Sequence, residues 1–145
     1  MAERHAEVTW NGDLTSGSGT VDRVGSGAFG PLDVSWPARA EEASGGKTSP
    51  EELIAAAHAS CFSMALAGAL ARAGSAPERL QTSATVTFVP GTGITKVALA
   101  VEGTVPGLDE AAFHEAAEGA KANCPVSKAL AGVDEITLDA RLAGS

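Results

Sequence analysis

The chain has 145 residues, 44% of them hydrophobic, which is the size of one domain with its own core and excludes a disordered polypeptide. Eighteen acidic against ten basic side chains leave a net charge of −8, a sign that repels nucleic-acid phosphates and anionic membrane surfaces. Aromatic residues are 4% with no tyrosine, too few for base-stacking platforms.

The opening MAERHAEVTW carries charges at Glu3, Arg4 and Glu7 with no apolar run behind them. No secretory signal is expected, and the expected location is cytoplasmic. Ala6, Val8 and Trp10 alternate, Asn11-Gly12-Asp13 turns, a Gly/Ser-rich stretch surrounds Val21 and Val24, and a third run covers Leu32 to Trp36. These read as a three-stranded meander.

At Thr48-Ser49-Pro50-Glu51-Glu52 the period changes. Ser49 is a good N-cap, Pro50 takes the first helical position and Glu52 is the expected capping-box partner, so a helix runs to about Ala73 and stops at Gly74. Its stretch Leu53 to Ala71 is long enough to span a membrane but holds His58, Ser60, Cys61 and Ser63 and is mostly alanine. It reads as a buried central helix, and no membrane partner is expected. One sheet cannot cover a helix that is apolar on every side. The small residues Ala55, Ala56, Ala57, Ala65, Gly68 and Ala71 suit close approach of a second copy.

Leu80, Ala84, Val86 and Phe88 alternate with polar residues, Pro90-Gly91-Thr92-Gly93 turns, and Val97, Leu99, Val101 and Val105 continue the alternation, which is a hairpin. Asp109 caps a second helix through Ala120, a short helical piece follows Asn123-Cys124-Pro125, and Ile136 to Leu142 form a last strand. The order βββ-α-ββ-α-α-β describes a single α+β domain over residues 1–145.

Two cysteines, 63 positions apart, lie too far separated for a C-x-x-C loop. By position, Cys61 in the apolar helix could be a small buried hydrophobe, whereas Cys124 before Pro125 stands where an N-cap favours a thiolate. His58, Cys61, His114 and Cys124 could form a zinc set, although their spacing matches no usual pattern. His58 with Cys61 could be a base–nucleophile pair for hydrolysis.

SPEELIAAAHASCFSMALAGAL (Ser49 to Leu70) and NCPVSKAL (Asn123 to Leu130) resemble the two cysteine motifs of the OsmC/Ohr family of thiol peroxidases. VTWNGDLTSGSGTV (Val8 to Val21) and DEITLDARL (Asp134 to Leu142) are similar to that family too, so the resemblance covers nearly the whole chain. The histidine of AAHASCF and an arginine before the helix resemble the OsmC branch.

The resemblance implies an OsmC-like fold: an intertwined homodimer with two sheets around paired central helices and active sites at the interface. It implies that Cys61 is the peroxidatic cysteine, Cys124 the resolving one, and Glu51 and Arg39 their companions, with Arg39 placed in the strand leading to the helix. The implied activity is reduction of organic hydroperoxides, and of hydrogen peroxide less efficiently, in oxidative and osmotic stress. It proceeds through a Cys61 sulfenic acid and a Cys61–Cys124 disulfide. No cofactor or metal is implied, only an external dithiol reductant, a lipoyl protein or a thioredoxin-like one. A non-catalytic peroxide-sensing or ligand-binding dimer is the alternative of another class.

Physical chemistry gives those residues roles. An ordinary thiol is mostly protonated at neutral pH and burial raises its pKa, so a permanent cation such as Arg39 would favour the thiolate and steady charge on the peroxide oxygens. Glu51 would orient the guanidinium as a bidentate partner, and Phe62 and Met64 would line an apolar pocket. Ten helical residues rise about 15 Å, so Glu51 cannot touch Cys61 on its own helix. A site shared between subunits is therefore expected.

Overall fold

The protein was analysed as a computed structural model that describes residues 1–144. Its elements in chain order are β1 (Ala6–Asn11), β2 (Ser18–Val24), β3 (Leu32–Val34), α1 (Trp36–Ala40), α2 (Pro50–Arg72), β4 (Arg79–Val89), β5 (Gly93–Thr104), α3 (Glu110–Asn123), α4 (Pro125–Ala129) and β6 (Glu135–Leu142). One antiparallel neighbour on each side of β2 makes the first sheet, β1-β2-β3; the second is β4-β5-β6, with β5 antiparallel to β4 and parallel to β6. A parallel pair needs a crossover, and α3 and α4 supply it.

Local chemistry sets the boundaries. Ser49 Oγ accepts the Glu52 amide at 3.2 Å and Pro50 opens α2, while Gly74 (φ +87°) lets the chain leave the helix in the left-handed region. Glu52 does not close a capping box back onto Ser49: its carboxylate accepts from the Thr48 hydroxyl at 2.8 Å. Asp109 caps α3 through the Ala112 amide at 2.8 Å.

The sequence reading needs one correction of topology. The third strand stops at Val34, and Trp36–Ala40 is a short helix, α1, so Arg39 lies on a helix and not on a strand. Ser35 is its N-cap, accepting the Ala38 amide at 3.2 Å, and Pro37 stands in its first turn.

The core lies between α2, α3 and the second sheet. Phe62, Leu66 and Leu70 recur every fourth residue on the buried face of α2 and meet Val97, Leu99 and Val101 of β5 and Phe113, Ala117 and Ala120 of α3. Phe113 packs so tightly on β5 that a Cβ at Gly103 would stand 2.6 Å from its ring. Phe62 is thus a core residue, contrary to the expectation that it lines a pocket. The opposite face of α2 carries exposed Ala56, Ala57, Ser60, Met64 and Ala71, with Met64 74% exposed. α2 is also the one described helix long and apolar enough to cross a membrane, with a mean hydropathy of 1.7. Here it packs on β4, β5, α3 and α4.

Candidate active site

Cys61 lies three turns into α2, partly exposed. Cys124 is fully buried at the junction where α3 ends and Pro125 opens α4. The fold brings these two together: both thiols are free and close enough to perturb each other's ionisation. Cys124 is the N-cap of α4 but makes no side-chain capping hydrogen bond, and the open first turn of that helix, with Val126 and Ser127, lies beside the sulfurs.

These contacts set the electrostatics of the pair. Burial pushes the Cys61 thiol up, and its hydrogen bond to Cys124 pushes it the same way, against the Val126 amide. Burial also pushes Cys124 up, but the hydrogen bonds from Cys61, from Ser127 and from Val126 outweigh it, and its pKa lies below the ordinary thiol value. Within one chain the thiolate is therefore favoured at Cys124 and disfavoured at Cys61. Cys124 occupies the N-cap position of α4, without a side-chain capping bond, whereas activation of Cys61 by Arg39 is not found inside a single chain.

His58, one turn before Cys61, is fully buried. Its Nε2 is 2.7 Å from Ser127 Oγ, across the gap between α2 and α4. Its Nδ1 is buried without a partner. Burial pushes the imidazole pKa below its usual value, so the ring is neutral at neutral pH. The nitrogen that is engaged faces Ser127, so the base–nucleophile pairing of His58 with Cys61 is not the arrangement formed. His114 is exposed on α3 beside Glu110 at 3.4 Å, away from both cysteines' partners. Among the described residues, no three His, Cys, Asp or Glu side chains gather as metal ligands.

Arg39 and Glu51 form the second cluster. Glu51, at the start of α2, is 5% exposed, and its Oε1 accepts from Arg39 Nε at 2.9 Å. The contact is single and not bidentate, and Oε2 is buried with no partner. The Arg39 guanidinium also lies over the Phe88 ring, 4.3 Å from its centroid, and Trp36 meets Phe88 edge-on at 5.9 Å. A charge clamp on one side and an aromatic face on the other fix the guanidinium. Two grooves meet at it: one of about 280 Å³ floored by Glu51, Ala55, Val86 and Phe88, and an apolar one of about 410 Å³ walled by Val8, Trp10, Leu14, Val34 and Trp36.

Of the four residues singled out from sequence, the structure joins Cys61 to Cys124 and Arg39 to Glu51. It does not join the two pairs within the chain. Neither Arg39 nor Glu51 is among the groups that perturb Cys61, and ten helical residues separate Glu51 from Cys61, about 15 Å of rise. Sequence reasoning missed Ser127, Phe88 and the Val126 amide as parts of these clusters. Only the placement of Ser127 two residues after Pro125, inside the first turn of α4, hinted at its direction.

Comparison with known proteins places this geometry. Residues 43–139 match the family model described as OsmC-like protein. The chain is 43% identical over 142 residues to Peroxiredoxin OsmC of Escherichia coli (strain K12), covering 96% of each chain. Its fold is similar to the organic hydroperoxide resistance protein OhrB of Bacillus subtilis, at 26% identity and TM-score 0.63, covering 95% of this chain and 97% of that one. It is similar also to an OsmC-like protein of unknown function from Vibrio cholerae, at 18% identity and TM-score 0.71, covering 97% and 99%. With a family match over two-thirds of its length around the same two cysteines, the chain belongs to the OsmC family.

Proposed function

We propose that the chain is a thiol-dependent peroxidase that reduces organic hydroperoxides to alcohols, and hydrogen peroxide less efficiently, as a homodimer in oxidative and osmotic stress defence. The observation that carries this reading is the thiol pair: two cysteines 63 positions apart are brought close enough to perturb each other, one partly exposed and one fully buried with its pKa lowered. Metal-free two-thiol redox chemistry needs that arrangement. The relative named Peroxiredoxin OsmC supports it.

In the proposed cycle the Cys61 thiolate attacks the distal peroxide oxygen. The O–O bond breaks, the alkoxide leaves and is protonated to the alcohol, and Cys61 becomes a sulfenic acid. Cys124 then attacks the Cys61 sulfur, the S–O bond breaks, the hydroxide leaves as water with the proton Cys124 gave up, and a Cys61–Cys124 disulfide forms. An external dithiol, lipoyl or thioredoxin-like, restores both thiols by exchange.

Cys61 must lose its proton first, and its own chain works against that. The cation that reverses the balance is Arg39 of a second copy, oriented by Glu51. Support comes from α2, whose outer face of exposed alanine with Met64 has no cover in its own chain. The apolar groove beside Arg39 suits the hydrocarbon part of an organic hydroperoxide.

The test is steady-state consumption of an organic hydroperoxide with a dithiol, together with thiol counting before and after one equivalent. Loss of both thiols, a mapped Cys61–Cys124 disulfide and no turnover by Cys61→Ser are expected. Stoichiometric oxidation without turnover would make the protein a sensor, and full activity of Cys61→Ser would refute the reading.

A further inference from the structure

An arginine side chain turns about several bonds, and its cation acts at a site only when its donors are held there. Glu51 holds Arg39 at one point, accepting from Nε into Oε1 at 2.9 Å. The second carboxylate oxygen is buried without a partner, so no Nη group closes a bidentate clamp. One hydrogen bond leaves the guanidinium free to swing about it. The remaining constraint is Phe88: Arg39 Cζ lies 4.3 Å from the centre of its ring, a cation–π contact. That ring is itself braced. Trp36, three residues before Arg39 and so on the same side of α1, meets it edge-on at 5.9 Å with the planes at 86°. The β4–β5 ladder slips at the same point: Thr87 pairs with Lys96 and Phe88 with Ile94, leaving Thr95 as the extra residue of a bulge. Bulges re-aim side chains, and this one sits at the end of β4 that carries Phe88.

We propose that Phe88 is a positioning residue for the Arg39 cation, its ring face holding the guanidinium in one orientation. The two Nη groups, which have no hydrogen-bond partner among the described residues, then stay available at the two grooves that Arg39 lines. The inference rests on the peroxidase reading, in which Arg39 of one copy favours the Cys61 thiolate of the other, and it adds the residue that aims the cation. Glu51 supplies the charge that keeps Arg39 in place, and Phe88 supplies the direction.

The expected effect is moderate. The Arg39 side chain is 32% exposed, which places the contact between the solvated and desolvated ends of the cation–π range, a span of about 2-fold to 30-fold in the population of the held orientation. Loss of the ring face should therefore lower kcat/KM for an organic hydroperoxide by about 3-fold to 10-fold. The midpoint of Cys61 alkylation against pH should rise by about half to one pH unit, the same factor read on the thiolate. Iodoacetamide labelling, followed on the Cys61 peptide by mass, gives that midpoint without turnover. Phe88→Leu should show the rise, and Phe88→Tyr, which keeps the ring face, should hold the wild-type midpoint. Pentafluorophenylalanine in place of Phe88 keeps the ring's shape but reverses the charge of its face, so it should behave as Phe88→Leu does. In an Arg39→Met chain, Phe88→Leu should add nothing further, because its effect passes through the cation. A wild-type midpoint in the pentafluoro variant, or additive shifts in the double variant, would leave Phe88 a packing role alone and overturn the inference. An organic hydroperoxide that leaves wild-type Cys61 unoxidised would sink the peroxidase reading, while the labelling profile still decides whether Phe88 aims Arg39.

Discussion

Whether Arg39 reaches Cys61 within one chain or across a dimer can be decided by the size of one effect. At a separation of about 15 Å and an effective dielectric of about 20, a unit charge stabilises a thiolate by roughly 1 kcal/mol, and salt at 0.1 M screens beyond about 10 Å. At contact, near 4 Å, the same charge is worth about 4 kcal/mol. After the nucleophilicity that a more stable thiolate gives up, the two geometries correspond to about twofold and about 30-fold to 100-fold in rate. The perturbation is Arg39→Met with Glu51→Gln, which removes the cation without stranding the buried carboxylate. The assay is hydroperoxide consumption at low substrate, on that variant and on its mixture with Cys61→Ser chains after verified subunit exchange. In a shared site, the Cys61 of one chain meets the Arg39 of the other, so an equal mixture should recover about a quarter of wild-type turnover. A loss of about twofold in the variant, or no recovery in exchanged heterodimers, would refute a shared site.

Three further outcomes follow from the same geometry. Cys124→Ser should complete about one turnover and then accumulate sulfinic acid on Cys61, read by intact mass, because no thiol remains to capture the sulfenic acid. His58 is held neutral with its pKa below the usual 6.5, so its contribution to stability is complete above pH 6.5 and is lost as pH falls through its lower folded value. The stability difference between wild type and His58→Leu, from urea titrations at matched protein concentration, should therefore shrink as pH drops from 7 to 5. Gly103→Ala places a methyl 2.6 Å from the Phe113 ring and should cost about 1–3 kcal/mol of unfolding free energy.

Elements whose signals are local could be read from the sequence, and contacts that depend on distant neighbours could not. Ser49-Pro50 and Gly74 bound α2, Asp109 opens α3, and period-two alternation marks β4 and β5, because capping, turn chemistry and side-chain alternation act over a few residues. α1 was lost because five residues are too short to show a helical period, and Ser35 with Pro37 was its single cue. That miss mattered for the site: one turn of helix, not a strand, brings Arg39 alongside Glu51 and over Phe88. Cys61 and Cys124 stand out as a candidate pair only through their flanking motifs, since composition and spacing leave them as packing and capping residues. Ser127 escaped notice because its meaning lies in His58, 69 positions away.

The last consequence concerns how the disulfide would be reopened. A reductant's thiolate could attack either sulfur, and both geometry and leaving-group stability select Cys61. Cys124 is 0% exposed, whereas Cys61 is partly exposed. Attack at Cys61 expels Cys124, whose pKa lies below the ordinary thiol value. The more stable thiolate leaves faster, so the two effects act in the same direction. Treating the oxidised protein with a thioredoxin-like reductant that has lost its second cysteine, followed by acid quench and peptide mapping, should place the mixed disulfide on Cys61. An adduct found mainly on Cys124 would show that the turn carrying it opens before reduction, and would refute the assignment of Cys124 as the leaving thiolate.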